Sequence, residues 1–441
     1  MIKQIFTLNP LLQLNITYKN VIVMFSEEIK DFLLEESVNR FLKYVQVWTT
    51  SDDLSQSNPS TENQFELGKI LAIELKELNL ENIIHDDFGY VYADLPASSG
   101  LEEVRRIGLI AHIDTSQAVN GKNVKPVIHK NYDGGTIKFA SSKDIKLTVE
   151  DSPILKDYIG LDIITSEGDT LLGADDKAGI AEIMAACSAW RNFPELKHGP
   201  ITICFTPDEE VGKGTLNINK KRLPEICFTM DGSEMGELEF ECFDAWKATI
   251  TFTGFSVHPG YAKNLLINAA HIASRFLSEI PEQESPENTE DREGFYYVTG
   301  FKGEVEEAKA VLIIRDYVEE NNEERMNFLK KLKELYEIRY PGLKIDLQFE
   351  HQYRNMLRFI EKDKFVVDLA EKAIEMAGLE VKFHSIRGGT DGSRLSEMGI
   401  PTPNIFSGGS LLHSRKEHIP TLALQKASEV LLHLAQLWTS A

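Results

Sequence analysis

Cysteine is scarce in this chain: Cys187, Cys204, Cys227 and Cys242 are the four in 441 residues, with no paired spacing and apolar surroundings. That excludes a disulfide-stapled scaffold and points to reduced core thiols in a cytoplasmic protein. Basic charge is also short. With 47 Lys and Arg against 69 Asp and Glu, the formal charge is 47 minus 69, or -22, which disfavours nucleic acid and anionic membranes as partners. Residues 1–23 lack the roughly 18 continuous apolar residues of a membrane span, and no internal repeat or low-complexity tract stands out. Residues 1–23 mix Ile, Leu and Val with Lys3, Pro10 and Lys19, lack the core and cleavage site of a signal peptide, and read as a mis-called start or a flexible extension before Met24. What is left is a soluble enzyme's composition, 42% hydrophobic, in a length that calls for two domains. The acidic runs 282–293 and 319–324 read as solvated surface.

Against that plain background one stretch carries chemistry. Leu172-Gly173-Ala174-Asp175-Asp176-Lys177-Ala178-Gly179 places two adjacent acids at a Gly-bounded turn, after a strand-like Asp162–Thr165 and before an Ala-rich helical segment, Ile180 to Trp190. An Asp before a helix is commonly only a cap, but neighbouring carboxylates repel and call for a cation. Three more apolar runs end similarly: 107–111 in His112-Ile113-Asp114, 201–206 in Pro207-Asp208-Glu209-Glu210, and 226–230 in Asp231-Gly232. Far downstream, 405–409 leads to His413. In open α/β sheets, strand ends are where ligands and catalytic groups gather. Imidazole and carboxylate donors suit zinc or a similar metal, and about six such groups are more than one tetrahedral ion needs, so two ions sharing a carboxylate are inferred. One acid must stay free of metal to move protons, and a member of the Glu209-Glu210 pair is the natural choice.

Together with Ser256-Val257-His258-Pro259-Gly260, Arg387-Gly388-Gly389-Thr390-Asp391-Gly392 and His413-Ser414-Arg415, these motifs resemble the tripeptide aminopeptidase branch of the co-catalytic di-zinc metallopeptidases, from about Phe25 to the C-terminus. The resemblance implies two Zn2+ per chain, with Asp175 bridging, His112 and Asp231 on one ion, Glu210 and His413 on the other, and Glu209 as general base. It implies that Asp114 orients His112 from behind the metal, that the Asp175-Asp176 peptide bond is cis, and that His258, Arg315 and Arg387 bind substrate. His258 would meet the developing oxyanion, and the two arginines would grip a carboxylate, although a surface salt bridge would explain either arginine as well. Asp rather than Glu at position 231 favours the aminopeptidase side of the family.

The ligand motifs fall between His112 and Asp231 and resume only at His413, so the catalytic domain (24–241 and 356–441) is expected to be split by an insertion, 242–355. The insertion reads βαββαβ: strand 247–253, helix 265–280, strands 295–299 and 310–316, helix 323–339, strand 344–349. The fold class expected is therefore α/β, a mixed-sheet di-zinc exopeptidase domain carrying a ferredoxin-like α+β lid. The activity implied is removal of the N-terminal residue from tripeptides by a water shared between two zinc ions. Small peptides are the expected partners, and a homodimer is left open. The alternatives are a related dipeptidase or N-acyl-amino-acid hydrolase, a single-metal structural protein, and a catalytically silent scaffold, against which the full set of acids and imidazoles speaks.

Overall fold

The structure is a computed structural model and describes residues 25–142 and 144–440; the expectation for residues 1–23 lies outside them. The strands Ile107–His112 and Ile201–Thr206 are apolar on both faces and fully buried, as interior parallel strands must be. They pair in parallel, and Ile107–His112 pairs in parallel with Cys227–Gly232 on its other side. Around this centre runs a mixed eight-stranded sheet in the order Glu81–His85, Val91–Leu95, Ile201–Thr206, Ile107–His112, Cys227–Gly232, Asn404–Phe406, Glu237–Cys242, Lys382–Ile386. One face carries the main core, where the helices Glu27–Tyr44, Ala174–Asn192 and Thr421–Trp438 pack on one another and on the sheet. The other face is covered by a smaller cluster that includes Tyr90, Tyr92, Cys204, Cys227 and Leu395. All four cysteines are buried and unpaired.

The parallel centre sends three strand C-termini to one edge, and with them His112, the 207–210 turn and Asp231. The short strand before Asp175 behaves differently from the sequence reading. Ile163–Thr165 does not join the large sheet; it lies between Val127–His129 and His418–Pro420 in a separate three-stranded one. That placement draws the C-terminal loop of His413 onto the segment that leads to Asp175.

The insertion forms a four-stranded antiparallel sheet in the order Phe295–Gly303, Glu307–Asp316, Asp244–Thr253, Lys344–Tyr353. Ala248, Ile250 and Phe252 alternate inward beneath the helices Ala269–Leu277 and Glu319–Arg339, forming a core of their own, while the opposite face is wetter, the pattern of a one-sided antiparallel sheet. This is the ferredoxin-like arrangement. Its first helix is shorter than the expected 265–280, because Phe255 and Ile267 bridge to each other and Asn268 caps the helix by accepting from the His271 N–H at 3.0 Å.

Candidate active site and metal centre

The edge where the strands end holds His112, Asp175, Glu209, Glu210, Asp231 and His413 in one place. His112 Nε2 lies 2.8 Å from Asp175 Oδ1 and 3.5 Å from Asp231 Oδ1. His413 Nε2 lies 3.0 Å from Asp175 Oδ2 and 2.9 Å from Glu210 Oε1. Asp175 therefore offers one oxygen to each imidazole. The bond between Asp175 and Asp176 is cis, and Asp176 turns away to accept from the backbone N–H groups of His112 (3.1 Å) and Gly179 (3.2 Å).

The electrostatics of this cluster call for added positive charge. Burial pushes Glu210 up to about 7 and Asp231 up to about 6, and raises Glu209 well above the carboxylate range, helped by the nearby Asp231 charge. The carboxylates of Asp175 and Glu210 draw His413 up to about 11. Burial works against ionising Asp175, yet hydrogen bonds from His112 and His413 hold it below its ordinary value. Imidazoles are here recruited as cations by a surplus of buried acid, and one buried acceptor, Glu210 Oε1, has no hydrogen bond of good geometry. His112, Asp175 and Glu210, and likewise His112, Asp176 and Asp231, present ligand atoms within 4.8 Å of one another. The donor set fits divalent metal.

Two buried carboxylates hold the loops that carry these groups. Asp114, 0% exposed, accepts the backbone N–H of Glu209 at 2.9 Å with Oδ1 and that of Glu210 at 3.2 Å with Oδ2. His112 Nδ1 meets the backbone carbonyl of Asp114 at 3.0 Å, closer than its carboxylate at 3.4 Å. Asp114 thus does more for the 209–210 turn than the sequence reading gave it. Asp208, at φ 59 in the left-handed region, accepts from Ser60 N–H, Asn58 and Gln64 and pins the same turn from outside.

Above the cluster opens a cleft of about 510 Å³ whose lining includes Asp175, Glu209, Glu210, Asp231 and His413 at one end and Arg315, Gln352, Tyr353, Arg387 and Arg394 from the insertion and the segment after it. Arg315 is buried and held by the carbonyls of Trp246 (3.1 Å) and Ile314 (3.0 Å) and by Gln352 Oε1 (2.8 Å). Arg387 donates to the carbonyls of Asp291 (2.8 Å) and Glu293 (3.0 Å), between the rings of Phe243 and Phe295. Neither forms a salt bridge among the described residues, so both guanidiniums keep their charge uncompensated. The 282–293 run is accordingly not all solvated surface, since its carbonyls seat Arg387. His258 is not brought to the cleft. It is exposed in the turn after Asp244–Thr253, where its Nδ1 accepts from Gly260 N–H at 3.1 Å and its ring lies 5.6 Å from Tyr261.

The family described as Peptidase family M20/M25/M40 matches residues 167–437. Proteins called Peptidase T are 46% identical over 407 residues in Clostridium novyi (strain NT), covering 92% of this chain and 100% of that one, and 45% identical over 406 residues in Clostridium acetobutylicum, covering 92% and 99%. The chain belongs to the M20 peptidase family. Among solved structures, the M20 fold of this chain is similar to an aminopeptidase, PepT, of Bacillus cereus (TM-score 0.71, 23% identity, 92% of this chain and 98% of that one) and to a tripeptidase of Staphylococcus aureus (TM-score 0.73, 21% identity, 92% and 99%). As an M20 member the chain is a peptidase of a metal-dependent family. The expected fold, a mixed-sheet catalytic domain with an inserted ferredoxin-like lid domain, is the observed one. Among the described residues no helix is long and apolar enough to cross a membrane.

Two contributors to this M20 site were missed in the sequence. Arg394 lines the cleft from the helix Asp391–Glu397 and belongs to none of the motifs above. Glu417, whose carboxylate accepts the backbone N–H groups of Leu172, Gly173, Ala174 and Asp175, belongs to no motif either, and only its spacing of four from His413 is a signal.

Proposed function

We propose that the chain is a tripeptide aminopeptidase of the cytoplasm that works with two zinc ions per chain. The observation that carries this reading is the cleft itself, with an acid and imidazole cluster at one end and two carboxylate-free guanidiniums further along. A peptide whose C-terminal carboxylate reaches the arginines, while its first peptide bond lies at the cluster, is selected by length. The names of the relatives at 45–46% identity support the same substrate class.

In this reading Asp175 bridges, His112 and Asp231 hold one ion, and Glu210 and His413 hold the other, in keeping with the division of the Asp175 oxygens between the two imidazoles. When bound, such a pair lowers the pKa of water and polarises the scissile carbonyl. Glu209, whose backbone is clamped by Asp114 and whose carboxylate makes no hydrogen bond among the described residues, takes a proton from the attacking water and returns it to the leaving amine. Arg315 and Arg387 fix the far carboxylate by charge-assisted hydrogen bonds. Residues 242–355 act as the lid and 24–241 with 356–441 as the catalytic domain; His258 reaches substrate only by moving from its present turn.

The test is hydrolysis of matched di-, tri- and tetrapeptides with free and blocked N-termini, before and after chelation, by wild type and Glu209→Ala. Metal-dependent release of the first residue from free tripeptides, lost in Glu209→Ala, is expected. Turnover of dipeptides or N-acylated substrates in preference would replace this specificity with that of the related hydrolases.

A further inference from the structure

The helix that follows Asp175 begins without a cap of its own. A helix start leaves its first backbone N–H groups without intrahelical acceptors, and a Ser, Thr, Asp or Asn side chain usually serves them. Here the preceding residue is Gly173, at φ 85, which has no side chain to offer, and Asp175 and Asp176 depart from helical geometry. The missing acceptor arrives from 242 residues away. Glu417, 1% exposed, accepts the N–H groups of Leu172 (2.7 Å) and Gly173 (2.9 Å) with Oε2, and those of Ala174 (2.7 Å) and Asp175 (3.2 Å) with Oε1. Both oxygens carry two donors, an arrangement that suits a carboxylate and leaves no place for an amide NH2.

How Glu417 gets there is set by the small sheet. His418–Pro420 pairs antiparallel with Ile163–Thr165, His418 opposite Thr165, so the residue before the strand faces the loop that leads to Asp175. Four residues before Glu417 stands His413, and the Glu417 N–H closes that short loop on the carbonyl of Ser414 at 3.3 Å. Glu417 thus ties the backbone beneath Asp175 to the loop beneath His413, whose side chains meet at 3.0 Å.

We propose that Glu417 is a positioning residue which fixes Asp175 relative to His413 and thereby sets the affinity of the metal position shared by Asp175, Glu210 and His413, without itself touching metal or substrate. This rests on the two-ion reading above. In Glu417→Gln the side chain keeps its shape, but its NH2 confronts two backbone donors, so the loop must shift.

The experiment is calorimetric titration of the chelated full chain with Zn2+, wild type against Glu417→Gln, together with amide hydrogen exchange. Wild type should take two ions per chain. The variant should bind one of the two ions at least tenfold less tightly, within the 10–100-fold range of residues that support metal ligands from behind, and keep the other nearly unchanged. Exchange at residues 172–175 should speed up, while the Ile107–His112 strand stays protected. Two ions bound by the variant with wild-type affinities, or both weakened equally beside a lower melting temperature, would overturn the positioning role and leave the two-ion reading standing. A single ion in wild type would overturn both. Should Glu417→Gln not fold, exchange in the wild-type apoprotein decides: amides 172–175 as slow as those of residues 180–190 support the clamp, and exchange at exposed-loop rates overturns it.

Discussion

Gly179→Ala presses on a close approach between the helix that carries Asp175 and the strand that carries Asp231. An added Cβ would stand 2.3 Å from the carbonyl oxygen of Met230 and 2.5 Å from Asp176 Oδ1. The first of these is backbone and cannot rotate aside. Ordinary contact begins at 3.4 Å, so restoring it by separating helix and strand takes up to 3.4 minus 2.3, or 1.1 Å. Overpacking of this kind costs about 1–3 kcal/mol, and replacing Gly by Ala inside a helix returns about 1 kcal/mol. The net loss expected, toward the upper end because backbone must move, is about 1–2 kcal/mol, read as a lower urea midpoint at unchanged slope in chelated protein. Activity should suffer more, because a misplacement of about 1 Å in a catalytic constellation can cost roughly 100-fold. Gly300→Ala is the control, with no atom within 4 Å of its added Cβ and no left-handed φ. A Gly179→Ala protein matching wild type in both midpoint and kcat/KM would refute the claim that this approach sets the spacing of Asp175 and Asp231.

Asp391 is buried, its Oδ2 makes no hydrogen bond of good geometry, and burial is the main cause that raises it from 3.8 to about 7. The folded state therefore holds a proton that the unfolded state releases, so the penalty is absent below pH 3.8, grows as pH rises and is complete above about 7. At 1.36 kcal/mol per pH unit it reaches about 4 kcal/mol, and in chelated protein the stability of Asp391→Asn relative to wild type should rise by up to that amount between pH 4 and pH 8, as read by urea midpoints; a pH-independent difference would refute it. Chelation should destabilise the protein by about 2.7 kcal/mol for each ion removed, relative to metal at 100 times its Kd, measured as a fall in melting temperature that added Zn2+ reverses. Arg387→Ala should lower kcat/KM about 10–100-fold, from a charge-assisted bond worth about 1.5–3 kcal/mol, for peptides with a free C-terminus; an equal loss on C-terminally amidated peptides would argue against the anchor. Leu329→Ala, at a fully buried position in the core of the four-stranded unit, should cost about 2–5 kcal/mol and leave metal content unchanged.

Much of the site was legible because its donors sit where apolar strands stop. His112, Glu209, Glu210 and Asp231 each follow or end such a run, and a parallel sheet carries such ends to one edge. The βαββαβ order of the insertion was legible from alternation and helical spacing, apart from the helix start that the Phe255 and Ile267 bridge delays. What resisted reading depends on long-range pairing. Nothing near Glu417 signals that it caps a helix 242 residues upstream, because the cue is an absence, the side chain that Gly173 lacks. The strand before Asp175 misled in the same way. Its composition could not say that it would join His418–Pro420 in a second sheet. For Arg315 and Arg387, charge alone left a surface salt bridge open, and only the neutral acceptors around them decide against one.

The order of strands in the large sheet also bears on synthesis. Asn404–Phe406 lies between Cys227–Gly232 and Glu237–Cys242 in space but follows both by more than 150 residues in sequence. On the ribosome, the sheet therefore stands with a gap while the whole ferredoxin-like unit, whose strands all come from residues 244–353, is already available to fold. The gap closes only when residue 406 has been made. His413 and Glu417 are made after all the site's other groups, so a nascent chain can neither complete the cluster nor hydrolyse a peptide before residue 417 has emerged.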